Sequence, residues 1–502
     1  MNITDFLEES KELKKLWEDP SWRLIDTQFG EINSFRFQQD GSNALKTVIV
    51  DINPVLPEPI SEPKLKPRPN NVIEFIENDL SPREKIAIDF SGIQAMAIEN
   101  VPENEAVYFS KVMDKYVFLP EIETSADREG KIKLAILDNS FSVGGAVWSI
   151  VLLLKYLDKS KIYPRAYSGS RSDITDYLKD MEIEVNICPG DIRKPGVFED
   201  WIVESLKEWQ PDVVDGAWSV HWGFHEFREF VPVVVAHAQA TEIPWLDPET
   251  KVGYCSYDQE LVDNLDGIIC VAQAVYDKYP IIQDKAVVIP SPIDTDDFIV
   301  DKEVGKSLRY NLDIDEDAFV ISWVGRISEQ KRPDLLLEIV DLVTEKIDNA
   351  VFLVAACLPK YFESHPIAQK WLNGLNGRPI IWIPDMKPYH APVFYSMADL
   401  FLLNSDWEGL SLTSLEALAA GIPVVCTDVS GQAEIIEHGE NGVLCPKGDV
   451  QALANAIVEV HDWTEHDLEN VGENAQRSVE KVSAKLNAER TLAFYEKLLE
   501  RQ

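Results

Sequence analysis

The sequence predicts an α/β protein of two consecutive doubly wound domains facing a cleft, preceded by an N-terminal extension of unknown fold. Three observations predict it. After Gly130, apolar runs of strand length alternate with helical patterns, the signature of βα units around a buried parallel sheet. A second series of the same kind begins at "AFVISWVGR" (318–326). The chain of 502 residues also exceeds one ordinary core, at a prior of about 150 residues per domain. The boundaries read as 1–130 for the extension, 131–300 for the first domain, 301–480 for the second and 481–502 for a C-terminal helix.

In order along the chain, a charged helical start leads to a strand at "LKTVIVDI" (45–52). "NPVLPEPISEPKLKPRPN" (53–70) carries six prolines and reads as a linker or exposed meander, and "KVMDKYVFLPEIE" is strand-like. This region carries no recognisable chemistry. The first domain then reads "IKLAILD" (132–138), helix "GGAVWSIVLLLKYL" (144–157), "IYPRAYS", "EIEVNI", helix "VFEDWIVESLKEW", "PDVVDGAW", "VPVVVAH", "GIICVA" and "AVVIP". An acidic stretch, "SPIDTDDFIVDKEVGKSL" (291–308), joins it to the second series: "NAVFLVAAC", "RPIIWIP", "ADLFLLN", "IPVVC" and "NGVLCP", with helices between.

Composition narrows the function. The chain has 47 basic and 86 acidic residues, a net charge of −39. Such a surface repels phosphate backbones and anionic lipid, so nucleic acid is not an expected partner. The N-terminus is charged throughout and is not a signal peptide, and no apolar run reaches the 18–20 residues a membrane span needs. Six scattered cysteines without a C-x-x-C read as reduced thiols rather than a disulfide framework or zinc site. A soluble cytoplasmic protein is expected.

Three features fall at the carboxyl ends of predicted strands, where open α/β sheets bind ligands. Gly144-Gly145 lie between a strand and a helix, where glycines let N–H groups approach an anion. Neither a G-x-G-x-x-G nor a G-x-x-x-x-G-K-[ST] pattern accompanies them, so neither a dinucleotide site nor a P-loop is supported. In "VGRISEQK" (324–331), Arg326 and Lys331 follow a strand. Both are expected in solvent-accessible loops, where a guanidinium fork and a mobile ammonium together suit a diphosphate. In "DWEGLSLTSLEALAAGIPVV" (406–425), Glu408 sits in a loop and Glu416 borders the apolar face of a helix starting at Leu412. A buried carboxylate needs donors, so Glu416 should have hydroxyl or N–H partners. The N–H groups of Gly409, Leu410, Ser411 and Leu412 are further anion donors. Finally, "WSVHWGFHEFREF" (218–230) crowds aromatic and imidazole groups after a first-domain strand. Trp222 and His225 are the candidates there for lining the acceptor side of the cleft.

These residues carry a resemblance. The stretch at 406–425 resembles the E-x7-E region of retaining glycosyltransferases of family 4, whose fold is the two-Rossmann GT-B, with Glu408 and Glu416 in the two Glu positions. "GGAVWSIVLLLKYL" resembles the family's glycine loop and helix, and "WVGRISEQKRPDLLLE" its G-R-x4-K segment. "GLSLTSLEALAAGIPVVCTDVSGQAEIIEHGENGVLCPKGD" resembles the family almost continuously. The likeness covers about residues 131–480 and leaves 1–130 outside it.

The resemblance implies a hexosyltransferase acting on a nucleotide-diphosphate sugar. Glu416 would hold the ribose hydroxyls, Glu408 the transferred sugar, and Arg326 with Lys331 the diphosphate. Gly409–Leu412 and Gly144-Gly145 would help seat the donor, and His237 matches a family histidine near the reacting centre. The acceptor would be a glycan, a lipid-linked or a small-molecule hydroxyl. No cofactor and no metal site are implied, since the cationic pair can carry the leaving-group charge. The Glu pair should not be read as a hydrolase acid/base pair, which flanks the scissile bond. Two departures stand out. Ser291-Pro292-Ile293-Asp294 replaces the common Asn-Gly-Val-Asp, and proline cannot take the positive φ open to glycine. Ala272 stands where a serine is common. A catalytically silent sugar-nucleotide-binding subunit docking through 1–130, or a GT-B phosphorylase or epimerase, are the alternatives. The four retained residues Arg326, Lys331, Glu408 and Glu416 argue for a transferase, and the extension is a candidate surface for oligomerisation.

Overall fold

A computed structural model describes residues 22–28, 33–39, 45–50, 130–141, 144–190, 192, 196–216, 224–240, 259–299, 302–359, 362–384 and 386–502. Near the N-terminus, β1 (Trp22–Gln28), β2 (Asn33–Gln39) and β3 (Leu45–Val50) form an antiparallel sheet in that order. It belongs to a compact unit separate from the rest of the chain. The predicted strand at 45–52 is β3; the proline-rich stretch 53–70 and "KVMDKYVFLPEIE" lie outside the described residues.

The first large sheet contains β4 (Ile132–Asp138), β5 (Ile162–Ser168), β6 (Glu184–Ile187), β7 (Val213–Gly216), β8 (Val233–Ala238), β9 (Gly267–Cys270) and β10 (Ala286–Val288). Its seven strands are all parallel in the order β10-β9-β8-β7-β4-β5-β6. Parallel strands covered on both faces read as dense apolar runs, which is why β4, β7, β8 and β9 stand out in the sequence. On one face, Leu134, Ile136, Val213, Val233 and Val235 pack with Ile150, Val151 and Leu154 of the helix Gly145–Tyr156. Burying each such side chain contributes ~1.5–3 kcal/mol.

The second large sheet contains β11 (Phe319–Arg326), β12 (Ala350–Cys357), β13 (Ile380–Ile383), β14 (Leu400–Leu403), β15 (Val424–Thr427) and β16 (Gly442–Cys445), parallel in the order β13-β12-β11-β14-β15-β16. The two parallel-sheet Rossmann-like domains bear out the predicted architecture.

The chain crosses between these domains twice. The outward crossing passes Pro292 without a positive φ, so the replacement of glycine by proline is accommodated in ordinary backbone. It is tied to the return crossing: the Ile293 N–H donates to the Val482 carbonyl at 3.1 Å, and the Ala484 N–H to the Ile293 carbonyl at 2.7 Å. The final helix, Ala484–Leu499, then packs on Gly145–Tyr156, placing Tyr495 and Leu498 in the first domain's core. At the other end of Gly145–Tyr156, Lys155 Nζ lies 2.5 Å from Asp294 Oδ2 and the Tyr156 hydroxyl donates to the same carboxylate at 2.6 Å. One helix therefore touches the cleft at its start and the crossing at its end. Among the described residues no helix is long and apolar enough to cross a membrane.

Candidate functional site

In the second domain the chain leaves β11 for β12 on one side and later enters β14 on the other, so β11 and β14 flank the topological switch point where ligands bind. The ends of these strands and the loops that follow them hold each other. Trp323 Nε1 donates to Asn404 Oδ1 at 2.7 Å, Asn404 Nδ2 to the Arg332 carbonyl at 2.7 Å, and the Asp406 N–H to the Gln330 carbonyl at 2.8 Å. Arg332 bridges Asp334 and Asp406. These residues were not singled out in the sequence; their signal is distributed over two loops about seventy residues apart.

Within that frame, Lys331 Nζ donates to Glu408 Oε1 at 2.6 Å, with the Lys and Glu side chains only 12% and 9% exposed. Gln330 Nε2 donates to the Trp407 carbonyl at 2.9 Å and lies 3.5 Å from Glu408 Oε2. The Glu408 N–H donates to Ser430 Oγ at 3.3 Å. Arg326 is exposed, and its Nη2 donates to Gln330 Oε1 at 3.4 Å. The expectation of two accessible cations is corrected for Lys331: it is a mostly buried partner of Glu408, because the tied loops bring the two side chains together in poorly hydrated surroundings.

Glu416 is 5% exposed in the helix Leu412–Ala419. The Tyr395 hydroxyl lies 3.2 Å from its Oε2 and 3.0 Å from the Thr413 carbonyl, so one proton serves two acceptors. Burial pushes the Glu416 carboxyl up to about 8; the Tyr395 hydrogen bond and the Lys331 charge pull it back only in part. The predicted hydroxyl partner is present. At neutral pH the group is mainly the carboxylic acid, able both to donate and to accept.

Two helix N-termini from opposite domains approach each other at Gly145 and Leu412. A Cβ at Gly145 would lie 3.5 Å from the Leu412 Cβ, and one at Gly144 would have no atom of the described residues within 4 Å. Neither helix has a side-chain cap from its own N-cap residue, Gly144 or Ser411, nor an acidic residue in its first turn. Their leading N–H groups present partial positive charge with no carboxylate of their own to offset it. Gly409 differs: a Cβ there would stand 2.1 Å from the Gln239 carbonyl oxygen and 2.9 Å from Val271 Cγ2. Glycine at 409 is required by the first domain's backbone, which leaves no room for a side chain. Leu410 and Ser411 are buried in the same contact region.

His237, at the end of β8, is 6% exposed and sits over the first sheet's helix-covered face. Its Nε2 lies 2.8 Å from Asp215 Oδ2, and Tyr495 of the returning helix donates to that same oxygen. It also borders a cavity of about 20 Å³ with Ser149, Ser291 and Asn487, room for about one water. Gln239, two residues on, carries the carbonyl packed on Gly409. Asp215 was not anticipated, since its pairing joins β7 to β8 and to a helix 280 residues away. Trp222 and the His225 side chain lie outside the described residues; the His225 backbone belongs to the short helix Phe224–Phe227. Among the described residues no three His, Cys, Asp or Glu side chains converge as a metal set.

Residues 306–478 match the model of the family described as glycosyl transferases group 1. Over 132 residues the chain is 31% identical to spore coat protein SA of Bacillus subtilis, covering 25% of this chain and 34% of that one. Over 222 residues it is 27% identical to the UDP-Gal:alpha-D-GlcNAc-diphosphoundecaprenol alpha-1,3-galactosyltransferase of Escherichia coli, covering 43% and 54%. It thus spans a third to about half the length of these curated relatives. In structure it is similar to Anabaena Alr3699/HepE in complex with UDP and glucose, with a TM-score of 0.60, 18% identity and coverage of 73% of this chain and 100% of that one. The fold is GT-B.

Proposed function

We infer that this chain is a retaining glycosyltransferase of family 4 that moves a hexose from a nucleoside diphosphate to an acceptor hydroxyl. The observation that carries the reading is the Lys331–Glu408 pair, with Arg326 reaching the neighbouring Gln330 and the Lys331 charge acting on Glu416, beside two helix N-termini from opposite domains that approach at Gly145 and Leu412. A diphosphate is the ligand whose charge such an arrangement complements. Glu416, as an acid held by Tyr395, suits the paired hydroxyls of a ribose, and Glu408 those of the sugar.

In this reading the donor's phosphates draw Lys331 from Glu408, freeing the carboxylate to accept from the sugar. The bond between C1 and the diphosphate oxygen breaks while the acceptor oxygen bonds C1 on the same face. The acceptor proton passes to the departing phosphate oxygen. Stabilising the negative charge on that leaving group supplies most of the rate, through Arg326, Lys331 and the N–H groups of Gly144-Gly145 and Gly409–Leu412. His237, steadied by Asp215, faces the transferred sugar from the first domain, and the 218–230 segment supplies the acceptor side.

The E. coli relative's name carries UDP-Gal and the Anabaena complex contains UDP and glucose, so UDP-hexoses are the first donors to test. A donor at a hundredfold excess over Kd adds about 2.7 kcal/mol of stability, readily seen as a thermal shift. Transfer or hydrolysis followed by NMR should give an α-anomeric product from an α-linked donor. An inverted anomer would overturn retention; no shift and no turnover with UDP-, GDP- or ADP-sugars would overturn the transferase.

A further inference from the structure

We propose that Glu434 is a positioning residue that holds the first domain against the Glu408 loop and so assembles the two halves of the site. This rests on the reading above for its kinetic consequences and on geometry alone for its structural ones. Glu434 ends the 3₁₀ turn Ser430–Glu434 of the second domain. Its carboxylate crosses to the first domain, where it accepts from the Gln273 N–H at 2.9 Å through Oε2 and from the Ala274 N–H at 2.8 Å through Oε1. These are the first two N–H groups of the helix Gln273–Lys278, whose own N-cap residue, Ala272, has no hydroxyl to offer them. A helix start lacking a side-chain cap in its own domain is thus satisfied by the other domain, with the charge sign its dipole favours.

The same turn grips the Glu408 loop. The Gly431 N–H donates to the Gly409 carbonyl at 2.8 Å, and Ser430 Oγ accepts from the Glu408 N–H at 3.3 Å. Ser430 does this at φ +52°, a left-handed conformation uncommon for a side-chain-bearing residue. A Cβ on Gly431 would stand 2.8 Å from the Ala272 Cβ, so the two domains touch here without space for a methyl group. Five residues therefore link the Glu408 backbone to the first domain in an unbroken series of contacts. Both ends of the Glu434 contact are near solvent, which suits a connection that forms and releases with each turnover.

The test uses the full chain. Glu434→Gln replaces a two-oxygen acceptor with one acceptor and one donor, and a donor facing Gln273 or Ala274 N–H cannot pair. Small-angle X-ray scattering of the unliganded variant should show a larger radius of gyration than the parent, while its circular dichroism stays that of a folded protein. With UDP-glucose as the probe, KM should rise about tenfold, in line with loss of one good cap, while kcat moves less than about twofold. Ala272→Ser in the Glu434→Gln background then separates linking from capping, because serine restores the helix cap within the first domain but not the bond between domains. Persistence of the larger radius and raised KM in the double variant supports the proposal. Scattering of Glu434→Gln identical to the parent, or parental KM in the double variant, overturns it. If no sugar nucleotide is turned over by the parent, the transferase reading fails and the scattering comparison still decides the role of Glu434.

Discussion

Lys331 Nζ and Glu408 Oε1 stand 2.6 Å apart across two loops that belong to different strands, both side chains largely shielded from water. The pairing makes Lys331 structural as well as functional. Lys331→Ala should cut turnover by about two to three orders of magnitude, as removal of one leaving-group donor does elsewhere. It should also lower stability by about 1–3 kcal/mol, because the largely buried Glu408 carboxylate loses its charge-assisted donor. The pair Lys331→Met with Glu408→Gln should recover the stability and none of the activity. Denaturant unfolding set beside initial rates checks both; a Lys331→Ala protein with parental stability would disprove the pairing.

Arg326 gives the contrasting case. It is exposed, and among the described residues its guanidinium makes a long 3.4 Å hydrogen bond to Gln330, so Arg326→Ala should leave the melting midpoint unchanged. Turnover should still fall by about two to three orders of magnitude. Near-parental rates would remove Arg326 from the diphosphate site.

Glu416 predicts a pH dependence. Its carboxyl is raised from 4.5 to about 8 by burial, so between those values the folded state binds a proton that the unfolded chain has released. Stability from this group is complete below about pH 4.5 and is lost as pH rises toward 8. Glu416→Gln should flatten that slope in the unliganded protein while raising the donor Kd, since the amide keeps the volume but offers different hydrogens to a ribose. Urea unfolding of parent and variant between about pH 4 and about pH 8.5 tests it, a range that brackets the shift; parallel curves would contradict the assignment.

Gly409→Ala should act on the relation between domains. Its methyl group would sit 2.1 Å from the Gln239 carbonyl, a distance no Cβ tolerates. The second domain should fold, because the collision is with the first. We expect an expanded scattering profile and loss of most turnover, with UDP-sugar binding to the second domain weakened less than turnover. A profile and rate matching the parent would show that these surfaces do not meet in solution.

The sheets were legible in the sequence because parallel strands buried on both faces, such as 132–138 and 319–326, leave dense apolar runs that helices interrupt at regular intervals. Glu416 was legible for the opposite reason, as a lone charge beside an apolar helix face. What the sequence withheld were pairings between distant loops. Nothing local to Lys331 reveals Glu408, and nothing near Asp215 reveals His237 and Tyr495. The absence of a hydroxyl at Ala272 was visible, but the Glu434 carboxylate that compensates for it lies 161 residues from its partner Gln273. Polar groups of this kind are placed by tertiary packing, which periodicity does not encode.

The return of Ala484–Leu499 to the first domain's core, just past the bridge between Ile293 and Ser483, makes that domain a discontinuous piece of chain. A break in the gene near residue 300 would not yield two self-sufficient halves. The N-terminal product would lack the Ala484–Leu499 strap, exposing the helix Gly145–Tyr156 and stripping Asp215 of its tyrosine. Exchange of donor domains between relatives is therefore a matter of two cuts rather than one, with the strap kept beside its native partner. During synthesis, the first domain stays unfinished until the ribosome has delivered the helix Ala484–Leu499.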